Sequence, residues 1–233
     1  MARKRSRKST ARPAPSSDKP ARERIVAAFM ALLAEKSIEE ISLAEVAKEA
    51  DVTLSDLRNA FGSTLAILAA HSKEIDRTVL AGGDADIADE PPRERLFEVL
   101  MRRLEALAPH KAAVRLLLRS AGSNPGLAFA LNGLAVRSQQ WMLTAADIDA
   151  GGPRGMLRAQ GLALLFAQVL RTWVKDDDPG LARTMAALDR ALARGQRWSG
   201  FLDDLFQIPA RACRLRPRRR RRADEADEDT VAA

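Results

Sequence analysis

The sequence predicts an all-α protein, and three observations carry that expectation. Ala, Leu, Arg and Glu recur along the whole chain, while Tyr is absent and aromatic residues make up only 4%; this composition suits helices better than the pleated, half-buried surface of a sheet. Apolar residues repeat at spacings of three and four, as in Ile25, Phe29, Leu32 and Leu33, which puts them on one side of a helix. The segments with that spacing are bounded by Pro, Gly and Ser/Thr residues followed three positions on by an acid, the punctuation of helix ends.

Taken in order, Pro20 stands where a first helical turn tolerates proline, and the periodic run behind it predicts a helix over about 20 to 36. Ser42 followed by Glu45 reads as a capping box opening a short helix over about 43 to 49, with Leu43, Val46, Ala47 and Ala50 on one face. Thr53 and Asp56 repeat the device for a helix over about 54 to 61, with Leu57 and Phe61 on its buried side. Beyond Gly62 a fourth helix spans about 64 to 80, and Gly82, Gly83 and an acidic stretch form a connection to Pro92. Further helices are predicted over about 92 to 108, 110 to 121, 126 to 149, 153 to 175 and 179 to 194. Trp198, Phe201, Leu202, Leu205 and Phe206 keep helical spacing before a basic tail. The expected organisation is a disordered basic arm at 1–19, a small helical module at 20–80, a larger domain at 92–208 and a disordered tail at 209–233.

The net charge of +7 is unevenly spread. Residues 1 to 24 hold nine Lys or Arg against two acids, and residues 211 to 233 hold eight against five, so the body between them is slightly acidic. Basic arms of that kind suit a polyphosphate or an anionic lipid surface. One cysteine, Cys213, and two histidines, His71 and His110, leave neither a disulfide framework nor a conventional zinc cluster. No apolar run approaches the roughly 18 residues of a membrane span, so a soluble, cytoplasmic protein is expected. Gly151, Gly152 and Gly155 follow no strand and make a loop rather than a phosphate cradle. The three aspartates Asp176 to Asp178, ahead of Pro179 and Gly180, read as a solvated turn and helix cap, and His110 as a surface or cap residue. With no nucleophile and base at recognisable spacing, no cofactor and no enzyme activity are expected.

Two capped helices of about seven residues, joined by Ala50, Asp51 and Val52, match the plan of a helix-turn-helix at 42 to 61, whose second helix enters the major groove of double-stranded DNA. With Leu57 facing inward, Ser55, Arg58 and Asn59 lie on the far side of that second helix. Arg forks onto guanine or a phosphate, Asn pairs with adenine, and Ser donates to a phosphate. Ser42, Thr53 and Thr64, at the starts of the second, third and fourth helices, complete the candidate DNA-binding set.

Here the sequence resembles the TetR family of transcriptional regulators. Ala27 and Ala28 in the first helix, ISLAEVAKEADV leading into the turn, and TLSDLRNAFGSTLAIL follow the family's pattern over about residues 20 to 75, with Ala50, Val52, Thr53, Leu57 and Phe61 at its packing and capping positions. Arg58 and Ala60 stand where the family usually has Tyr and His, Asp51 stands for its turn Gly, and Thr64 for the Lys opening its fourth helix. The resemblance implies a homodimeric repressor whose DNA affinity is set by a small apolar ligand. Phe129, Trp141, Phe166 and Trp173 are the candidate ligand residues, and the helices at 153 to 175 and 179 to 194 the candidate dimer contacts. RTWVKDDDPGLARTMAALDRAL, from Arg171 to Leu192, also resembles the closing segment of the TetR-fold lipid-binding proteins of ubiquinone biosynthesis. That likeness implies an alternative, lipid binding at a membrane surface through Trp198 to Phe206 and the run Arg218 to Arg222.

Overall fold

The computed structural model describes residues 20–83 and 89–195, all of its regular structure being helical. The expected basic arm, the segment Trp198 to Phe206 and the C-terminal tail lie outside the described residues. Helix α1 (Ala21–Leu33) leads through a single 3-10 turn (Ile38–Glu40) to α2 (Leu43–Glu49), α3 (Leu54–Ala60) and α4 (Thr64–Ala81). Helix α5 (Pro92–Leu107), a second 3-10 turn (Ala108–His110), α6 (Lys111–Ser123), α7 (Pro125–Ala145) and α8 (Gly152–Trp173) follow. The last described helix, α9, runs over 182–195.

Both expected capping boxes form. Ser42 accepts from the Glu45 amide at 3.2 Å while the Glu45 carboxylate takes the Ser42 amide at 3.1 Å; Thr53 and Asp56 reciprocate at 3.1 and 3.2 Å. Each such cap is worth about 1 kcal/mol, which lets seven-residue helices persist where isolated ones would not. Helix α4 opens at Thr64, as expected, and is capped by Ser63, whose hydroxyl accepts the Ala66 amide at 3.1 Å.

Helix ends are where the sequence misleads. The expected helix over 126 to 149 stops at Ala145, because Asp147 takes a left-handed conformation with φ of 55° and the Ile148 amide turns back to the Leu143 carbonyl at 2.9 Å. The α2–α3 turn repeats this Schellman closure: Asp51 has φ of 52° and the Val52 amide bonds the Ala47 carbonyl at 3.0 Å. Aspartate here does what glycine usually does, so no glycine announces the stop of α7, while α2 ends at Glu49 as expected. The expected helix at 110 to 121 is shifted to Lys111–Ser123 because Pro109 sits inside a 3-10 turn instead of ending the element.

Two apolar clusters organise these helices. The first joins Ile25, Phe29 and Leu33 of α1 with Val46, Leu57, Phe61 and Ile67, and reaches Ala113 of α6. The second gathers Leu100 and Leu104 of α5, Met142 of α7, Phe166 and Trp173 of α8 and Leu188 of α9. Helix α4 belongs to both, giving Ile67 and Leu68 to the first and Ile75 and Val79 to the second. The changeover between clusters thus falls within α4, between Leu68 and Ile75, with α4 and α6 contributing to both, and all described residues up to Leu192 fall within one compact unit.

One further expectation is corrected. Asp176 is not solvated: it is 2% exposed and receives the Thr184 amide at 2.9 Å and the Thr184 hydroxyl at 2.6 Å, while Asp178 supplies the cap, accepting from the Ala182 amide at 3.2 Å. Those bonds from Thr184 hold the Asp176 carboxyl below the usual carboxylate range. His110 takes the expected cap position, as the part-buried N-cap residue of α6, with its ring edge-on to buried His71 of α4, ring centres 4.5 Å apart.

Candidate nucleic-acid interface

Helix α3 is anchored by one fully inward side chain and presents most of the rest. Leu57 is buried in the first cluster, whereas Leu54, Ser55, Asp56, Arg58 and Asn59 are exposed. Its far end is held from α1: Arg22 donates to the Ala60 carbonyl at 3.0 Å and lies 4.2 Å from the centre of the Phe61 ring, a cation over an aromatic face. Arg22 was not singled out from the sequence, and a lone arginine in a first helical turn carries no signal that could have found it. Arg58 leans toward the turn after α3, its Nη1 standing 3.5 Å from where a Cβ on Gly62 would be.

The candidate residues divide by what else they do. Ser55, Arg58 and Asn59 are exposed on the outward face of α3. Ser42 and Thr53 are committed first to their caps, since the Ser42 hydroxyl donates to Glu45 at 3.1 Å and the Thr53 hydroxyl to Asp56 at 2.6 Å. Neither hydroxyl proton is then free for a phosphate. Thr64 is half-buried in the first turn of α4.

The acids on this face are kept ionised. Lys36, 2.6 Å from the Glu45 carboxylate, together with the Ser42 amide and hydroxyl, pulls its carboxyl down to about 2; the Thr53 hydroxyl and amide lower that of Asp56. Residues 20 to 83 hold seven Lys or Arg against ten Asp or Glu. The helix-turn-helix is therefore a shaped but electronegative surface.

The four candidate ligand residues do not meet. Phe166 and Trp173 are packed inside the second cluster, while Phe129 and Trp141 on α7 are 81% and 55% exposed. Trp141 instead borders an open groove of about 910 Å³ with Arg137, Gln140, Thr144 and the turn after α7. The spacing that places all four on helices says nothing of how each helix is rotated, and α7 turns both its aromatics outward. Among the described residues no group of histidines, cysteines and acids is placed to hold a metal.

Solved structures share this arrangement. A TetR transcriptional regulator from Nitrosomonas europaea superposes with a TM-score of 0.59 at 22% identity, covering 76% of this chain and 99% of that one. The chain has the TetR fold. A TetR transcriptional regulator from a Rhodococcus species gives 0.54 at 23% identity over 75% of this chain and 95% of that one. A TetR-family regulator from Streptomyces coelicolor gives 0.50 at 16% over 82% and 87%. No protein-family model matches the chain, and no curated protein does. Within the TetR fold, α1 to α4 form the helix-turn-helix module and α5 to α9 the described part of the larger helical body.

Proposed function

We propose that the protein is a sequence-specific DNA-binding transcriptional regulator of the TetR type. The observation that carries this reading is the α2–turn–α3 unit itself: both helices are capped, the turn is closed by Asp51, and one face of α3 is left with Ser55, Arg58 and Asn59 exposed. Because the module is electronegative, attraction to DNA is assigned to residues 1 to 19, which carry seven Lys or Arg against one acid and precede α1 in the sequence. The protein acts as a homodimer. Leu157 and Leu164 of α8 are exposed at a seven-residue spacing with Gly161 between them, and Met185 of α9 is exposed as well, an apolar stripe suited to a second copy. Helix α4, shared by both clusters, is the element through which a small molecule bound in the larger body changes the setting of α3.

The test is selection from random double-stranded DNA with the full chain. Enrichment of a palindromic site is expected, together with a dimer mass by light scattering at micromolar concentration. If no sequence is enriched, the reading fails; if a monomer binds a single half-site, the dimer part fails alone. Binding to anionic liposomes without DNA enrichment would favour lipid presentation instead. No helix among the described residues is long and apolar enough to cross a membrane, and the residues that carried that alternative, Trp198 to Phe206 and Arg218 to Arg222, lie outside the described residues.

A further inference from the structure

At the first position of α3, on the flank it shares with Arg58, stands an exposed leucine. Leu54 is 58% exposed, and among the described residues of α1 to α3 it is the one large apolar side chain so exposed. It precedes Arg58 by four positions and so lies on the same side of the helix, one turn earlier. It packs into neither cluster.

We propose that Leu54 is a specificity-determining residue that packs against the 5-methyl group of a thymine in the major groove. This rests on the reading of α3 as the helix that enters DNA. The chemistry selects the ligand group. Leucine has no donor or acceptor, so the base-edge hydrogen-bonding pattern offers it nothing, and the C5-methyl of thymine is the one apolar group that an ordinary base pair presents in that groove. A leucine already exposed on a preformed helix gains by losing water against that methyl and needs no rearrangement to do so. With Ser55, Arg58 and Asn59 around it, the face combines one apolar reader with three polar ones, so each half-site carries a required thymine at the position Leu54 covers.

The experiment begins from the DNA site enriched by the full chain. Each thymine is replaced singly by deoxyuridine, which keeps every hydrogen-bonding group and removes only the methyl, and affinities are measured for the wild type and for Leu54→Ala. One position per half-site is expected where the replacement weakens wild-type binding about fourfold, the worth of one buried methyl-sized group. Leu54→Ala is expected to start about that much weaker on the thymine site and to lose nothing further at that position, so the two changes are not additive. The exposed position of Leu54 leaves the fold of the variant intact, which an unchanged helical circular dichroism spectrum and thermal midpoint check. If the variant keeps the full deoxyuridine penalty, or if no thymine methyl matters to the wild type, the inference is overturned while the regulator reading stands. If no site is enriched at all, the regulator reading fails and takes this inference with it.

Discussion

Arg103 of α5 donates to the Asp76 carboxylate of α4, and the Ser138 hydroxyl of α7 donates to the same oxygen at 2.6 Å. Both charged side chains are buried, so three helices are joined by an ion pair inside the second cluster. Removing one partner of such a pair leaves a buried charge uncompensated, at a cost of about 3 to 5 kcal/mol. Arg103→Met is expected to lower stability by that order in urea unfolding, and adding Asp76→Leu to recover most of it; equal losses summed in the double variant would contradict the pairing.

His71 gives stability a pH dependence of definite sign. Burial first, then the neighbouring His110 and Arg103 charges, lowers its pKa from 6.5 to about 4, and its Nε2 is buried without a hydrogen-bond partner. The unfolded chain therefore takes up a proton near 6.5 that the folded chain refuses until about 4. Stability is full above 6.5 and falls as the pH drops through that window, by about 2 kcal/mol between pH 6.5 and 5 from this group. Urea unfolding of the wild type is expected to show that loss, and His71→Leu to reduce it; identical pH slopes in the two proteins would refute the assignment.

Arg58 is the one basic side chain on α3. Arg58→Ala is expected to weaken binding to the selected site roughly ten- to hundredfold, with the salt dependence reporting which contact was lost. A slope lowered by about one unit indicates a phosphate contact; an unchanged slope with relaxed preference at one base pair indicates a base contact.

If the protein binds DNA as proposed, the first 19 residues are expected to supply the affinity that the electronegative module lacks. A chain starting at Pro20 is expected to retain its thermal midpoint yet lose affinity for every DNA sequence tested. Loss of even four phosphate contacts lowers the slope of log K against log salt by roughly 3.6. Unchanged affinity at low salt would show that the arm takes no part.

Gly155 tests the turn that links α7 to α8. A Cβ at this position would stand 2.0 Å from the Ala150 carbonyl carbon and 2.1 Å from its oxygen, so the 149–151 backbone passes where a side chain would begin. Gly155→Ala is expected to cost about 3 kcal/mol or more. Gly133→Ala on α7, where the new Cβ meets nothing within 4 Å, is expected to stabilise by about 0.5 to 1 kcal/mol through helix propensity. Chemical unfolding of both variants distinguishes steric conflict from a general effect of replacing glycine.

What the sequence determined by itself is whatever acts within one turn of helix. Ser42 with Glu45 and Thr53 with Asp56 are three residues apart, so each box could be read from the sequence and each formed. The inward Leu57 and the outward Ser55, Arg58 and Asn59 follow from the 100° step of the helix alone. Tertiary structure decided what depends on residues far apart in the chain or on the rotation of a long helix. Asp76 meets Arg103 across 27 positions and Ser138 across 62, and no local pattern marks them as partners. Phe129 and Trp141 face outward while Phe166 and Trp173 are buried because α7 and α8, each apolar over much of its surface, are oriented by the cluster they jointly fill. The left-handed turn at Asp147 was likewise unmarked, because aspartate merely tolerates that conformation, whereas the turn at Asp51 was legible as the short link between two capped helices.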